Sequence, residues 1–328
     1  MQAGEPADPI KCTLTVEHLD TLPRYEAVSY VWGSQVKPQQ INLNGVPFFV
    51  TQNLHKALTR LRTRTEDRLF WIDALAVNQS DIPERNAQVR KMLTIYNSAE
   101  AVLAYIGDGN EDLGEPSKFW AVLNEPPKNL KMPNWDCVFD QEQGRDPIQC
   151  FWTFKWLNQY EFWSRAWIIQ EIQGINVIFI LGPHTTTYER LWRVWAQLVA
   201  EHYPLYNLSH GENPEDCFNS IGSCISAIML NTARMAQLSL KSWLKSFILM
   251  HNPRCLDPRD KIYAFYGLFA PEIHNKISID YSMPVEDLFT LVTKVYIEEA
   301  GNLWLLSLAE VSSRHYSATP TVNTALPS

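Results

Sequence analysis

The hydrophobic pattern of the first third of the chain alternates between strand-like and helix-like segments. Three runs are apolar and rich in β-prone residues, as buried strands are: 25–33, 68–77 and 101–107. Between them, apolar residues recur at helical spacing after Thr51 and again after Asp81. This order of strands and helices predicts a doubly wound α/β domain. The run 68–77 is apolar on both faces except for Asp73, which predicts a central parallel strand.

Local signals support these boundaries. Asn44-Gly45 separates two apolar stretches and predicts an edge hairpin over 41–50. Thr51 or Asn53 is expected to cap the first helix. Asp81-Ile-Pro-Glu84 combines a cap, a first-turn proline and an acidic third position, so a second helix is expected to begin there. The residues expected on the buried faces of the two helices are Leu54, Leu58, Leu61, Val89, Met92 and Tyr96.

The remaining two thirds of the chain contain fewer strand signals. Residues 108–150 are rich in turn residues around one predicted helix, and we interpret them as an insertion. The further elements expected are an aromatic helix over 160–173, a strand over 176–182 and helices over 188–201, 221–250, 257–269 and 285–300. This pattern predicts an α/β core over 1–205, a helical extension packed on it over 206–311 and a flexible tail over 312–328.

Composition excludes several classes of function. The chain has 328 residues, of which 46% are apolar, enough for a sizeable core. A net charge of -8 without a long basic run argues against nucleic-acid binding. The N-terminus lacks the features of a signal peptide and no apolar run reaches membrane-spanning length, so we expect a cytoplasmic protein without a membrane contact. Six scattered cysteines predict neither disulfides nor a metal site, and the common nucleotide-binding and hydrolase motifs are missing.

Polar residues at the predicted strand ends are the first candidates for a site, because ligands of doubly wound sheets bind beyond the carboxyl ends of the strands. The ends expected to converge are those carrying Tyr30, Trp32 and Gly33, then Asn78 and Gln79, then Gly107 and Asp108. Asp73 needs a partner such as an arginine, an indole N–H or a backbone donor, and a structural role is favoured for it over ligand contact. Arg85 and Gln88 on the next helix are expected at the surface.

The segment 162–172 carries the densest group of candidate residues. On a continuous helix, the spacing of four places Trp163, Trp167 and Glu171 on one face, where indoles can stack on a planar ring and a carboxylate can stabilise a cation. Arg165 can orient a phosphate or pair with Asp73. On patterning alone, the alternative that the tryptophans are core residues and Glu171 is a paired acid is favoured.

Four blocks resemble the heterokaryon incompatibility (HET) domain family of fungi, in order along residues 24–310. They are 25–33, 71–79 with Glu84-Arg85 and Gln88-Val89, 165–171, and 257–268 followed by 280–282. One departure is visible: Ala76-Val77 stands where the family usually has Cys-Ile, so no role of that cysteine applies here. We also expect the chain to lack the long C-terminal region that many relatives carry.

This resemblance implies a fold and an activity. The family is distantly similar to Toll/interleukin-1 receptor (TIR) domains, which implies a flavodoxin-like parallel sheet flanked by helices, with the insertion and the C-terminal helical subdomain added to it. Segment 164–171 is similar to the TIR Ser-x-x-Trp-x-x-x-Glu region, whose glutamate cleaves NAD in catalytic members, so the implied catalytic residue is Glu171. The residues expected to bind the substrate are Tyr30, Trp32, Gly33, Asp73, Asn78, Gln79, Arg165 and Trp167.

The resemblance leaves two functions open. The first is an effector of self/nonself recognition that triggers cell death by hydrolysing NAD as a substrate, with neither a cofactor nor a metal. The second is a non-enzymatic scaffold that signals by self-assembly. Both imply self-association on activation and an unknown fungal protein partner, and a degenerate, inactive relative is a third possibility.

Overall fold

A computed structural model of the chain describes residues 1–109, 157, 160–191, 238–249, 253–303 and 305. Almost all of the predicted insertion, the tail 312–328, most of the predicted helix 188–201 and more than half of the predicted helix 221–250 lie outside these residues. The strands are β1 (Lys11–Cys12), β2 (Glu26–Tyr30), β3 (Gln39–Leu43), β4 (Val46–Val50), β5 (Phe70–Trp71), β6 (Ala101–Gly107), β7 (Val177–Leu181) and β8 (His184–Thr187). The α-helices are α1 (Gln52–Leu61), α2 (Asp73–Ala76), α3 (Ile82–Ser98), α4 (Ile168–Glu171), α5 (Leu240–Leu249), α6 (Asp260–Tyr263), α7 (Pro271–His274) and α8 (Val285–Ala300).

The central sheet has five strands in the order β5-β2-β6-β7-β8. The first four are parallel, and β8 pairs with β7 in the antiparallel direction. Alternate side chains of the strands enter two apolar clusters, one on each face: Ala27, Val102 and Phe179 on one, Val28, Leu103 and Ile180 on the other. The first cluster includes residues of α3 and α8, and the second includes residues of α1. The α/β class predicted from the sequence is therefore confirmed.

A second sheet of three strands, in the order β1-β3-β4, contains the predicted hairpin. Asn44 and Gly45 both have positive φ, 54° and 85°, as a two-residue type I′ turn requires. The hairpin prediction is confirmed, but its strands belong to this separate sheet rather than to the edge of the central one.

The predicted central strand 68–77 is wrong. Only Phe70 and Trp71 pair, at the edge of the central sheet beside β2, and the chain turns into α2 at Asp73. The physical reason is the carboxylate: at the start of a helix it accepts the Ala74 N–H, whereas inside a central strand it would be buried without a donor.

The predicted aromatic helix over 160–173 is also wrong. Glu161–Ser164 form a 3-10 helix, Arg165 forms a backbone bridge with Arg254, and α4 begins only at Ile168. The bridge interrupts the helix because Ala166 donates to the Arg254 carbonyl at 2.9 Å and Arg254 donates to the Ser164 carbonyl at 2.6 Å. Trp163 and Glu171 therefore do not share a helical face. Trp163 is fully buried in the core, as the alternative interpretation expects.

The residues that the structure describes after β7 form helices and one strand, β8, that was not predicted from the sequence. β8 is rich in threonine and follows the turn at Gly182 and Pro183, but its four residues are too few to give a clear alternating pattern. The helix predicted over 285–300 is confirmed with the same bounds. The segment 257–269 instead contains the short α6 and a 3-10 helix at Tyr266–Leu268. The domain boundaries stay predictions.

The start of α1 offers a test of the capping argument. The Thr51 hydroxyl accepts the Leu54 N–H at 3.3 Å, which satisfies one of the free donors at the helix start. We expect Thr51→Ala to lower the free energy of unfolding by about 1 kcal/mol, measured by urea denaturation. Thr51→Ser keeps the acceptor and is the matched control; an equal loss in both variants would contradict the capping role.

Candidate functional site

A cavity of about 870 Å³ lies beyond the carboxyl ends of β2 and β5. Its two walls come from distant parts of the chain. The first wall follows the two strands and continues into α3 and the segment before α4; the second comes from segment 253–261 with Tyr281 and Val285. The polar and aromatic residues of the first wall are Trp32, Asp73, Gln79, Arg85, Gln88, Glu161, Arg165 and Trp167.

Trp32 and Asp73 form a hydrogen-bonded pair at the strand ends. The Trp32 indole Nε1 donates to Asp73 Oδ2 at 2.8 Å, and the Ala74 N–H donates to Oδ1 at 2.7 Å. Burial, with the nearby negative charge of Glu171, raises the pKa of Asp73 to about 6. An indole N–H and a backbone donor were among the partners expected for Asp73, and that expectation is confirmed.

Gly33 allows a tight turn in the loop that follows β2. Gly33 has a φ of +65°, and a Cβ there would lie 2.6 Å from Asn53 Nδ2. That amide donates to the Val31 carbonyl at 3.1 Å and so fixes the loop after β2. A side chain at position 33 would both strain the backbone and displace this contact.

Arg165 and Glu171 form a buried ion pair behind the cavity wall. Arg165 Nη1 and Nη2 donate to the two carboxylate oxygens of Glu171, each at 2.7 Å. The Ser29 hydroxyl donates to the same carboxylate. The Glu171 side chain is 1% exposed and does not line the cavity, whereas Arg165 does. Arg165 therefore stands between the carboxylate and the cavity, and it pairs with Glu171 rather than with Asp73.

The second wall contains another buried carboxylate, Asp260. The Tyr281 hydroxyl donates to Asp260 Oδ1 at 2.5 Å, and the Trp167 side chain is also hydrogen-bonded to this carboxylate. The Arg85 guanidinium lies 3.5 Å from the centre of the Tyr281 ring and 3.9 Å from Asp260 Oδ1. Burial raises the pKa of Asp260 to about 6. Two tryptophan–aspartate pairs, Trp32–Asp73 and Trp167–Asp260, thus border one cavity.

The structure brings together six of the nine predicted site residues. Trp32, Gly33, Asp73, Gln79, Arg165 and Trp167 line the cavity. The other three lie elsewhere: Tyr30 is buried in the apolar cluster on the α1 side of the sheet, Asn78 is exposed outside the cavity lining, and Glu171 lies behind Arg165.

The predicted convergence of the third strand end is wrong. Asp108 does not line the cavity; it pairs with Lys56 on α1 at 2.5 Å and accepts a hydrogen bond from the Tyr105 hydroxyl. Lys56 lies on α1, which packs on the opposite face of the central sheet from α3. The ion pair with Lys56 therefore holds Asp108 away from the cavity.

One side of α3 and the whole second wall were not predicted from the sequence. Arg85 and Gln88 were expected at the surface but are half-buried and line the cavity. Their spacing with Val89 and Met92, both buried, is that of one helix face, and this signal could have identified them. The second wall includes Arg254, Asp257, Arg259, Asp260 and Tyr281, and no local pattern relates them to β2.

Comparisons with known proteins identify similar sequences. Residues 25–171 match a protein-family model described as Heterokaryon incompatibility protein (HET). A curated relative, Heterokaryon incompatibility protein 6, OR allele, from Neurospora crassa, is 30% identical over 118 residues. This alignment covers 32% of the chain and 17% of the relative, so the chain spans a small part of that protein's length. No solved structure matches the chain.

Within the described ranges, no helix has the length and apolar character needed to cross a membrane. The same part of the chain contains no cluster of three or more histidine, cysteine, aspartate or glutamate side chains that could hold a metal ion.

Proposed function

Because residues 25–171 of this chain belong to the heterokaryon incompatibility domain family, we propose that the protein acts in self/nonself recognition as an effector whose activation triggers cell death. The relative from Neurospora crassa, named for heterokaryon incompatibility, supports this role. Expression in a fungal host tests it: the intact chain is expected to reduce viability, and unchanged growth at the same protein level would count against it.

We further propose that the domain is TIR-like and cleaves NAD in the cavity. Counted along the chain, the four parallel strands lie in the order 2-1-3-4, which is the beginning of the flavodoxin-like order. In such sheets the ligand site lies beyond the carboxyl ends of the strands, where the cavity is found. The observation that carries the proposal is the position of the Trp32–Asp73 pair and Arg165 on one wall of that cavity.

The reaction requires stabilisation of a cation. The bond between ribose C1′ and the nicotinamide nitrogen breaks, its electron pair leaves with nicotinamide, and water adds to C1′ with release of a proton. The ribose passes through an oxocarbenium-like state that a nearby carboxylate stabilises. With a pKa of about 6, Asp73 is ionised in most molecules at pH 7 and can provide this negative charge. The two indoles offer surfaces on which a base can stack.

We assign different roles to Asp73, which belongs to the first wall, and to Glu171, which lies behind that wall. Asp73 lines the cavity and is the residue that would face the substrate. Glu171, the residue implied by the TIR resemblance, is enclosed by Arg165 and Ser29. In this arrangement it positions Arg165, and direct contact with substrate would require Arg165 to move away.

Nicotinamide release by purified protein tests the activity and separates these roles. We expect Asp73→Asn to reduce the rate at pH 7 by about 100-fold or more, a loss of the size seen when one stabilising group is removed from an active site. Glu298→Gln, an exposed acid on α8, is the matched control and should retain the wild-type rate. The protein should be assayed at several concentrations, because activation is expected to depend on self-association.

The outcomes are distinct. Unchanged release in Asp73→Asn, with Glu171→Gln inactive but folded, would return the catalytic role to Glu171. Release that is equal in all the variants would remove both carboxylates from the reaction.

A non-enzymatic scaffold is the second candidate function. Its support is the burial of the motif residues: Trp163 and Glu171 are 0% and 1% exposed and serve the core. If the protein assembles at high concentration, as measured by light scattering, yet releases no nicotinamide, the scaffold replaces NAD cleavage as the proposal.

A further inference from the structure

The second wall of the cavity is formed by residues beyond the family-matched range 25–171. It includes Arg254, an exposed residue between the buried Pro253 and the half-buried Cys255. The backbone of Arg254 is held against the first wall by hydrogen bonds to Ser164 and Ala166, on either side of Arg165. The chain thereby fixes the origin of this side chain beside the site.

Four arginines line the cavity in the described part of the chain: Arg85, Arg165, Arg254 and Arg259. Of these, Arg254 is the one whose charge is not compensated by a carboxylate. Arg165 is paired with Glu171, and Arg259 donates to both oxygens of Asp257 at 2.9 Å. Arg85 lies 3.5 Å from Asp257 and 3.9 Å from Asp260. No carboxylate of the described residues lies within ion-pair distance of Arg254.

Other groups of the cavity suggest the rest of the ligand. The half-buried indoles of Trp32 and Trp167 present planar apolar surfaces. The side-chain amides of Gln79 and Gln88 also line the cavity, and neither has a hydrogen-bond partner among the described residues. Amides of this kind can bond to the hydroxyls of a sugar or the edge of a base. A planar base, a sugar and a phosphate are the components of a nucleotide.

We propose that Arg254 binds a phosphate of a nucleotide whose base stacks on an indole of the cavity. This inference rests on the proposed function, because NAD is such a molecule. It assigns phosphate recognition to a residue outside the family-matched range, so residues 25–171 alone do not form the complete site. A guanidinium suits this role because it remains charged and can donate two parallel hydrogen bonds to a phosphate.

Binding of ADP-ribose and of adenosine to the full chain, measured by isothermal titration calorimetry, tests the proposal without requiring cleavage. We expect Arg254→Gln to weaken ADP-ribose binding by about tenfold or more, as loss of a charged hydrogen bond implies. Adenosine, which has no phosphate, should bind both proteins equally. Arg254→Lys should restore part of the affinity because it restores the charge.

Arg64→Gln is the matched control. Arg64 is an exposed arginine whose ion pair with Glu5 measures 3.3 Å, and it does not line the cavity. The proposal is overturned if ADP-ribose does not bind the wild-type protein, if Arg254→Gln binds it normally, or if Arg64→Gln weakens it as much.

The ADP-ribose binding assay and the nicotinamide release assay test different proposals, so one can fail while the other succeeds. A protein that binds ADP-ribose through Arg254 but releases no nicotinamide would retain the nucleotide site and lose the proposed reaction. A protein that cleaves NAD normally with Arg254→Gln and binds ADP-ribose normally would retain the reaction and lose the assignment of Arg254.

Discussion

Replacing Glu171 with glutamine is expected to lower the free energy of unfolding by about 3–5 kcal/mol, the usual cost of leaving a buried charge without its partner. Arg165, with a side chain 13% exposed, would keep its positive charge and lose the carboxylate that accepts two hydrogen bonds at 2.7 Å. Urea denaturation of the wild type and the variant measures the change.

A double-mutant cycle separates this effect from a general disturbance of the core. Arg165→Gln combined with Glu171→Gln removes both charges, so the double variant should cost less than the sum of the two single variants, by about 1–3 kcal/mol. The exposed pair Lys276–Glu299, at 3.3 Å, is the matched control, and Glu299→Gln should cost at most about 1 kcal/mol. Additive single effects would show that the two residues are not coupled.

This stability effect changes how activity data on Glu171 must be interpreted. A variant that releases no nicotinamide has either lost a catalytic group or lost the fold that holds Arg165 at the cavity wall. Only a Glu171 variant that remains folded under the assay conditions tests catalysis. Asp73 permits a cleaner test, because it lines the cavity and its charge is not required to neutralise a buried arginine through direct hydrogen bonds.

Much of the first α/β unit could be predicted because its signals are local. Thr51 and Asp81 are N-caps in the structure, as expected, and the apolar residues predicted on α1 and α3 are buried. The strands at β2, β6 and β7 were predicted from apolar runs that lie next to one another in the central sheet. Each of these features is recognised from residues that are close together in the sequence.

The errors occur where tertiary contacts decide the conformation. The helix predicted over 160–173 is interrupted at Arg165 by a backbone bridge to Arg254, about ninety residues later in the chain, and no local pattern contains that information. The second wall of the cavity was missed for the same reason. The error in the strand predicted over 68–77 has a different cause. The apolar run was recognised, but Asp73, the carboxylate that ends it, was treated as an exception within a strand.

Raising the pH from 4 to 7 is expected to destabilise the fold through Asp73 and Asp260. Burial raises the pKa of each from the ordinary 3.8 to about 6, so the folded protein retains protons that the unfolded chain has already released. Stability from these groups is therefore fully present below about pH 4 and is lost as the pH rises through 6. Each pKa unit corresponds to about 1.4 kcal/mol, which gives a contribution of about 1–3 kcal/mol per group after allowance for the partial exposure of Asp73.

The difference between the wild type and the Asp73→Asn, Asp260→Asn double variant isolates this contribution. Carboxylates with lowered pKa, such as Asp108 and Asp257, act in the opposite direction and lose their stabilisation as the pH falls, but they are present in both proteins. The double variant should gain stability relative to the wild type as the pH rises from 4 to 7. If the double variant and the wild type respond to pH in parallel, the two buried carboxyls ionise at the same pH in the folded and unfolded chains, and Asp73 would then carry a full negative charge at pH values well below 6.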